Sequence, residues 1–574
     1  MKLTDALSLL IPDVSRSVIG LAPELVLVLT IVLLLVVRLF QRSTRSNLGG
    51  LALLGTLVAL VIGVLQMLNI EGIAADPSAL GPAGTMAQWV RTSPPTTALD
   101  EPKDLFTGAV PLTRGGVIEP AVKGMLRFDS FTVFFRIFLC AFTAFTIWLT
   151  RLTGIPDNED SPDFYTLLLG ATLGMSLMAS ANHLLMVYIA VEMASLPSYA
   201  MAGFLKGRRE ASEASLKYVV YGAGASGIML YGISLLVGRF GTAHVPTLAI
   251  EMAKLELPLE GIVVLGLLLV LAGIAFKISA VPFHFWCPDV FEGAAAEVAG
   301  FLSVASKAAA LALLARFSMS LTTNGSLLQI AGRPVVGLYL GATIAFLSAI
   351  TATYGNLAAY AQTNLKRLLA FSTISQAGYM MMPIAAAISL GRERISSAEP
   401  ALQSLVFYLV IYMFMNLGAF AVVALIRNQI RSEDLSDYSG LIHSCPFLTV
   451  AMAVFLLSLT GIPPLAGFAA KWNIIYVLFN AKLYWLLAVI LANTVFSAFY
   501  YVKVLRVMIL DPPKQESPAW TLPRGAVAFC TVMIAANLAV MLVWKAWDAM
   551  NHLTGVAVPQ LLESFPLATP ISSL

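Results

Sequence analysis

The sequence predicts an all-α protein threaded many times through a lipid bilayer. Three observations carry this. Apolar side chains make up 58% of the 574 residues and charged ones only 12%, against roughly 25% in a soluble domain. Mean hydropathy is +0.84. The apolar residues also gather into runs of about 20, the length a helix needs to cross hydrocarbon.

Fourteen such runs fall near 21–39, 50–70, 130–150, 164–181, 184–204, 214–237, 261–291, 294–318, 334–354, 365–390, 403–427, 448–480, 482–507 and 525–547. The first twenty residues hold Asp5, Pro12, Asp13 and Arg16 and lack the apolar core of a cleavable signal. Residues 71–127 are rich in Pro and Gly, among them Pro77, Pro82, Pro94, Pro95, Pro102, Pro111 and Pro120. They read as an irregular extramembrane loop. The tail after about 548 gives no pattern. The chain then divides into 1–127 (helices 1–2 and the long loop), 128–160 (helix 3 and a loop), 161–320 (helices 4–8), 330–510 (helices 9–13) and 511–574 (helix 14 and the tail).

The seventh and twelfth runs are too long for one span and are interrupted. Pro282 lies inside the seventh, and Pro463 and Pro464 lie inside the twelfth. Proline removes a donor and clashes with the preceding turn, so a helix breaks there. Broken backbone at membrane depth survives only against protein or a hydrated cavity. The two breaks are five spans apart. Helices 4–8 and 9–13 therefore form two five-helix units, and because five is odd the second is inverted. Paired broken helices in such a repeat point to an ion site.

Basic residues of short loops set orientation. Arg38, Arg42, Arg45, Lys206, Arg208, Arg209, Lys366, Arg367, Lys503, Arg506, Lys514 and Arg524 fall on one side, read as cytoplasmic. Both termini are then expected on the outward side.

A charge at the membrane centre costs about 2.5–3.5 kcal/mol on insertion scales. Glu192, Lys217, Lys277, Lys307 and Lys471 nevertheless lie in spans 5, 6, 7, 8 and 12. One acid and four lysines over five spans suit a conducting path for a small cation. Glu192 is read as a carboxylate facing a buried lysine, or as a structural ion pair; Lys217, in the neighbouring span, is its expected partner, although it is close enough to a helix end to snorkel. Lys277 precedes the first break by five residues and is far from either interface. Burial removes a lysine's strong preference for its charged form, which lets it take and release protons as a relay requires. Lys307 is mid-span among small residues, and Lys471 follows the second break. For Lys307 and Lys471 the alternative is a static pair with a carboxylate elsewhere. His284, just past Pro282, is either a relay member or a helix cap. Arg136 reads as a snorkelling side chain without a role.

Several function classes are excluded. A net charge of +3 gives no nucleic-acid signal, and no two of Cys140, Cys287, Cys445 and Cys530 form a CxxC pair, which argues against iron–sulfur clusters, structural zinc and disulfides. The four thiols read as small buried apolar groups. Gly222, Gly224 and Gly227 match GxGxxG, but no strand precedes them; close helix packing is the better reading.

The strings Val191-Glu192-Met193-Ala194-Ser195-Leu196-Pro197-Ser198-Tyr199, Glu213-Ala214-Ser215-Leu216-Lys217-Tyr218, Phe276-Lys277-Ile278-Ser279-Ala280-Val281-Pro282-Phe283-His284-Phe285-Trp286 with Pro288-Asp289-Val290-Phe291-Glu292-Gly293, Lys366-Arg367-Leu368-Leu369-Ala370-Phe371-Ser372 and Gly461-Ile462-Pro463-Pro464-Leu465-Ala466-Gly467-Phe468, with Lys471, resemble the antiporter-like membrane subunits of respiratory complex I. The Ser-Leu-Pro-Ser-Tyr run points to the subunit N branch. The resemblance covers roughly 160–510. It implies fourteen helices with two inverted five-helix repeats, and proton pumping driven by electron transfer from NADH to quinone elsewhere in the complex. It implies that Glu192 and Lys217 are a modulating pair, Lys277 the central lysine, Lys307 the relay lysine and Lys471 the distal lysine toward the outward side. It places NADH, FMN, the iron–sulfur clusters and the quinone in or against other subunits. This chain is then a non-redox part of the translocase without a cofactor of its own. Its implied partners are the other membrane-arm and peripheral subunits and the lipid of the inner membrane, with quinone only indirectly and no nucleic acid. The competing reading is a subunit of a multi-subunit cation/proton antiporter or a membrane-bound hydrogenase. The 71–127 insertion and the extended tail depart from the family pattern, and no long lateral helix follows span 14.

Overall fold

The computed structural model describes residues 20–40, 48–75, 125–154, 161–253, 255, 260–322, 335–391, 398–513, 520–542, 544–559 and 561. The helices are α1 (Ala22–Phe40), α2 (Leu48–Ala75), α3 (Ser130–Thr153), α4 (Ser161–Ser180), α5 (Leu184–Ala202), α6 (Arg209–Phe240), α7 (Val245–Ala253), α8 (Gly261–Ile278), α9 (Trp286–Gly293), α10 (Ala296–Phe301), α11 (Lys307–Thr322), α12 (Val335–Ala359), α13 (Leu365–Gly391), α14 (Glu399–Ile430), α15 (Leu441–Ser444), α16 (Pro446–Thr460), α17 (Ala466–Asn480), α18 (Tyr484–Ile509), α19 (Arg524–Leu542) and α20 (Trp544–Ala557). A π-helical turn, Leu302–Ser306, joins α10 to α11.

Among the described residues, eleven helices are long and apolar enough to cross a bilayer, α10 to α11 counting as one. The other expected spans are present as α4, α13 and the split pair α16 and α17. Exposed Leu, Val and Phe side chains line α1, α2, α6, α12 and α18, as surfaces in contact with lipid should. By contrast α10 to α11 is wholly enclosed. It sits at the centre, with α14 and α13 of the second unit on one side and α3, α4 and α8 on the other.

Both long spans break where proline predicts. The αL residue Ser279 (φ 64°) ends α8, and the αL residue Gly461 (φ 87°) ends α16. Each break carries a cis proline three residues later, Pro282 and Pro464. The freed carbonyls find new donors, as they must in a buried setting. Trp286 Nε1 donates to Phe276 O at 3.0 Å. Gln376 Nε2 donates to Leu459 O at 3.1 Å, and Lys471 Nζ to Thr460 O at 2.8 Å. The two breaks share one build although their sequences differ.

Glycine is required at the second break. A Cβ on Gly467 would lie 1.8 Å from Ser458 O, a backbone atom that cannot move without unwinding the end of α16. Gly467→Ala is therefore expected to destabilise the protein by at least the 1–3 kcal/mol, roughly, of an overpacked core, read as a lowered melting temperature in detergent.

Three expectations change. The 71–127 segment begins as helix, because α2 runs to Ala75; positions 76–124 lie outside the described residues. The tail is not patternless. It forms α20, which returns to the bundle through Gln403 Nε2 to Asn551 O (2.9 Å) and Ser130 Oγ to Ala557 O (3.1 Å). Arg136 does not snorkel. It is buried on α3 and pairs with Glu24 of α1 while donating to Gly20 O.

Candidate functional site

The two central lysines of the first unit sit on either side of its break. Lys277 occupies the last turn of α8, where the helix dipole favours a cation, and is wholly buried. Its Nζ donates to Ser195 Oγ at 2.9 Å. Ser195 in turn donates to Val191 O, one turn back on α5. Glu192 lies on that same turn, half-buried, accepts a hydrogen bond from Ser226 Oγ of α6, and is within electrostatic reach of Lys277. The order in space is Glu192, Ser195, Lys277.

Lys307 opens α11 directly after the π-turn, a distortion frequent at functional sites. It is wholly buried, with Nζ 4.0 Å from Cys287 Sγ. His284 is buried in the break, packed against the Phe285 and Tyr354 rings and within electrostatic reach of Lys307. It does not cap α9, whose N-cap is Phe285 without a side-chain bond.

Lys471 belongs to the second break. Besides its bond to Thr460 O, its Nζ stands 4.8 Å over the Tyr379 ring, a cation–π contact. Its methylenes pass Gly461, where a Cβ would meet Cδ at 2.9 Å. Among the described residues, Lys277, Lys307 and Lys471 make no ion pair.

Lys217 differs, and here the structure departs from expectation. Glu192 is not its partner. Lys217 Nζ bonds Asp289 of α9 at 2.7 Å and Glu213 at 2.8 Å, with its side chain 38% exposed. The cause is register. Antiparallel packing sets Tyr199 against Tyr218 and Ser226 against Glu192, so Lys217 lies more than two turns of α6 away from the glutamate. Arg367 of α13 also binds Asp289 (2.7 Å) and Glu292 (2.6 Å), so this network ties the two units together. Of the GxGxxG glycines, Gly222 packs on Tyr199, while Gly224 and Gly227 face open space.

Sequence reasoning missed two buried ionic clusters. Arg316 of α11 donates from Nη1 and Nη2 to Asp129 (2.8 and 2.9 Å), from Nε to Ala179 O (2.8 Å) and from Nη2 to Thr132 Oγ1 (2.8 Å). Lys366 is buried and bonds Ala294 O (2.6 Å) and Glu433 (2.9 Å); Arg427 reaches Glu433, and buried Glu297 is within electrostatic reach of both basic groups. Arg316 and Glu297 lie inside an apolar run, so the test that selected the lysines would have found them. All four cysteines are buried free thiols.

The profile of the family described as "NADH:quinone oxidoreductase/Mrp antiporter, TM" matches residues 181–497. The NADH-quinone oxidoreductase subunit N of an Anaeromyxobacter strain is 40% identical over 441 residues, which cover 74% of this chain and 82% of the relative. A chain of the solved respiratory complex I of Thermus thermophilus is 29% identical, with a TM-score of 0.65, over 91% of this chain and 97% of its own. A chain of the Mrp complex of a Dietzia strain shares the fold at 18% identity, with a TM-score of 0.70, over 96% and 98%. Fold and buried lysines together define an antiporter-like membrane subunit. Within that class, the chain belongs to the NADH-quinone oxidoreductase subunit N family.

Proposed function

We propose that this chain is the proton-translocating membrane-arm subunit of an NADH-quinone oxidoreductase. One observation carries the reading: three wholly or nearly buried lysines, each at or just past a helix interruption, with no ion pair among the described residues. A static salt bridge would have placed a carboxylate against each, because an unpaired buried charge is costly. A group that must change protonation has no such partner.

In this mechanism electron transfer elsewhere in the complex sends a conformational or electrostatic change along the membrane arm. It reaches Glu192 at α5 and, through Asp289, Lys217 at the junction of the units. Lys217 modulates as part of that ion-pair network rather than as a direct partner of Glu192. The change at Glu192 alters the proton affinity of Lys277 through Ser195. The proton passes to Lys307, with His284 beside it, and on to Lys471 and the outward side. Helices 4–8 and 9–13 are the two working halves, hinged at Pro282 and at Pro463–Pro464. The chain lies in the inner membrane with both termini outward, contacts the other membrane-arm and peripheral subunits, and leaves NADH, FMN, iron–sulfur and quinone chemistry to them.

Two measurements test this. Purification of the intact assembly with an inventory of its subunits should return complex I partners; partners of a cation/proton antiporter or hydrogenase would replace the reading. The combined variant Glu192→Gln, Lys277→Ala, Lys471→Ala should oxidise NADH with much reduced proton release in sealed vesicles. Release per electron at the wild-type level would make the chain a scaffold.

A further inference from the structure

We propose that Gln376 positions Lys471 for proton release by keeping a second carbonyl away from its ammonium. This rests on the lysine relay proposed above. The last four carbonyls of a helix have no partner within it, and in α16 these are Leu457, Ser458, Leu459 and Thr460. Gly461 N and Ile462 N donate to Leu457 O, and Gly461 N also donates to Ser458 O. Side chains satisfy the other two. Gln376 Nε2 donates to Leu459 O at 3.1 Å, and Lys471 Nζ donates to Thr460 O at 2.8 Å. An ammonium has three donors. Among the described residues, Thr460 O is the one hydrogen-bond acceptor of Lys471, with the Tyr379 ring beneath it.

Gln376 is wholly buried on α13 and its amide is held from three helices. Tyr408 of α14 donates to Oε1, Nε2 reaches the Tyr501 hydroxyl of α18 at 3.5 Å, and Leu459 O belongs to α16. These bonds keep the amide facing the break. Its place along α13 is the place of Glu192 along α5. Lys277 bonds Ser195 on the second helix of its unit, and Lys471 stands over Tyr379 on the second helix of its own. The helix crossings agree. A Cβ on Gly174 would lie 2.4 Å from Ala194 N, and a Cβ on Gly378 would lie 2.4 Å from Ala352 N. Ala194 and Gly378 thus mark the crossing of first and second helix in each unit, one residue before the neighbour of the lysine. Glu192 and Gln376 fall at matching positions, three residues before Ser195 and Tyr379. The first lysine has a carboxylate at this position and the second a neutral amide.

Two carbonyls hold an ammonium harder than one, because each adds a charge-assisted hydrogen bond at the negative end of the helix dipole. With Leu459 O occupied by the amide, Lys471 stays in place on Thr460 O and is still able to let its proton go. Gln376 itself forms and breaks no covalent bond. At release an N–H bond breaks on Lys471 and an O–H bond forms on a water toward the outward side. The titratable side chains that the surrounding helices bring to this region are Tyr379 of α13, Tyr408 and Tyr412 of α14, and Tyr500 and Tyr501 of α18. The α16 segment carries none, and α19 meets the break with the neutral Asn537, whose Oδ1 accepts from Ser458 Oγ at 2.9 Å.

The test uses the whole complex in sealed vesicles and follows assembly, NADH oxidation and protons released per electron over a range of pH. It compares wild type with Gln376→Leu, Gln376→Met, Tyr408→Phe and Lys471→Ala. Leucine and methionine fill the space of the amide and free Leu459 O for Lys471. Both should release severalfold fewer protons per electron at neutral pH and should recover as the pH is raised, because a lysine held harder gives up its proton at higher pH. Lys471→Ala should stay low at every pH. Tyr408→Phe removes the bond to Oε1 but not the donation to Leu459 O, and should release close to the wild-type number. Wild-type release from the Gln376 variants, with Lys471→Ala defective, overturns the positioning role and leaves the relay standing. Wild-type release from all of them overturns the two together. Gln376 variants that stay low at every pH, a Tyr408→Phe complex as defective as they are, or failure of both Gln376 variants to assemble would make the amide a packing element and overturn the proposal.

Discussion

On the proposed relay, Lys277→Ala should leave the chain assembled and stop proton transfer through it. Assembly should survive because the Lys277 ammonium has one neutral partner, the Ser195 hydroxyl, and no ion pair among the described residues. Its removal strands no buried carboxylate at bonding distance, so the usual penalty for breaking a buried pair is absent. Transfer should fail because alanine can hold no proton at the position where the proposed relay needs one. Loss of a positioned acid–base group slows its step by about 10²–10⁴-fold. Proton release per electron in vesicles, measured against NADH oxidation, checks this; a complex that assembles and pumps normally sinks the relay.

Asp129→Ala gives the opposite outcome: it should prevent stable assembly. Asp129 caps α3 by accepting from Thr132 N at 2.8 Å and accepts from Nη1 and Nη2 of Arg316 from α11. The substitution leaves a buried guanidinium without its counter-charge, at a cost of about 3–5 kcal/mol, and removes an N-cap worth about 1 kcal/mol more. Burial works against the charged carboxylate, but the Arg316 guanidinium outweighs it and holds the carboxyl down to about 2. The folded value is lower than the unfolded one. The stabilisation is therefore complete above the ordinary carboxylate range and is lost only as pH falls toward about 2. The amount of chain recovered in the complex, and its melting temperature in detergent at neutral pH, check the prediction. Wild-type values for both would show that the pair contributes nothing.

Much of the candidate site is legible in the sequence. Lys277, Lys307 and Lys471 stand out because a charge inside an apolar run is costly, and that cost depends on composition alone. The breaks were found because the proline ring forbids a continuous helix whatever surrounds it. Arg316 and Glu297 lie in an apolar run in the same way, nearer its ends. Only packing shows that Arg316 clamps α11 to the start of α3 while Glu297 joins the Lys366 cluster. The π-turn before Lys307 has no residue signature, since Leu302–Ser306 would serve in an ordinary helix.

What the sequence determined by itself is the number of spans, their two interruptions and which spans carry buried charge. Each of these depends on the free energy of moving a residue or a backbone group into lipid, a property of the segment alone. Only the tertiary structure decided which charges meet. Glu192 and Lys217 are on neighbouring helices, yet antiparallel register gives Glu192 to Ser226 and Lys217 to Asp289. Contact across helices depends on register and rotation, and these are set by the packing of the whole bundle rather than by any one span.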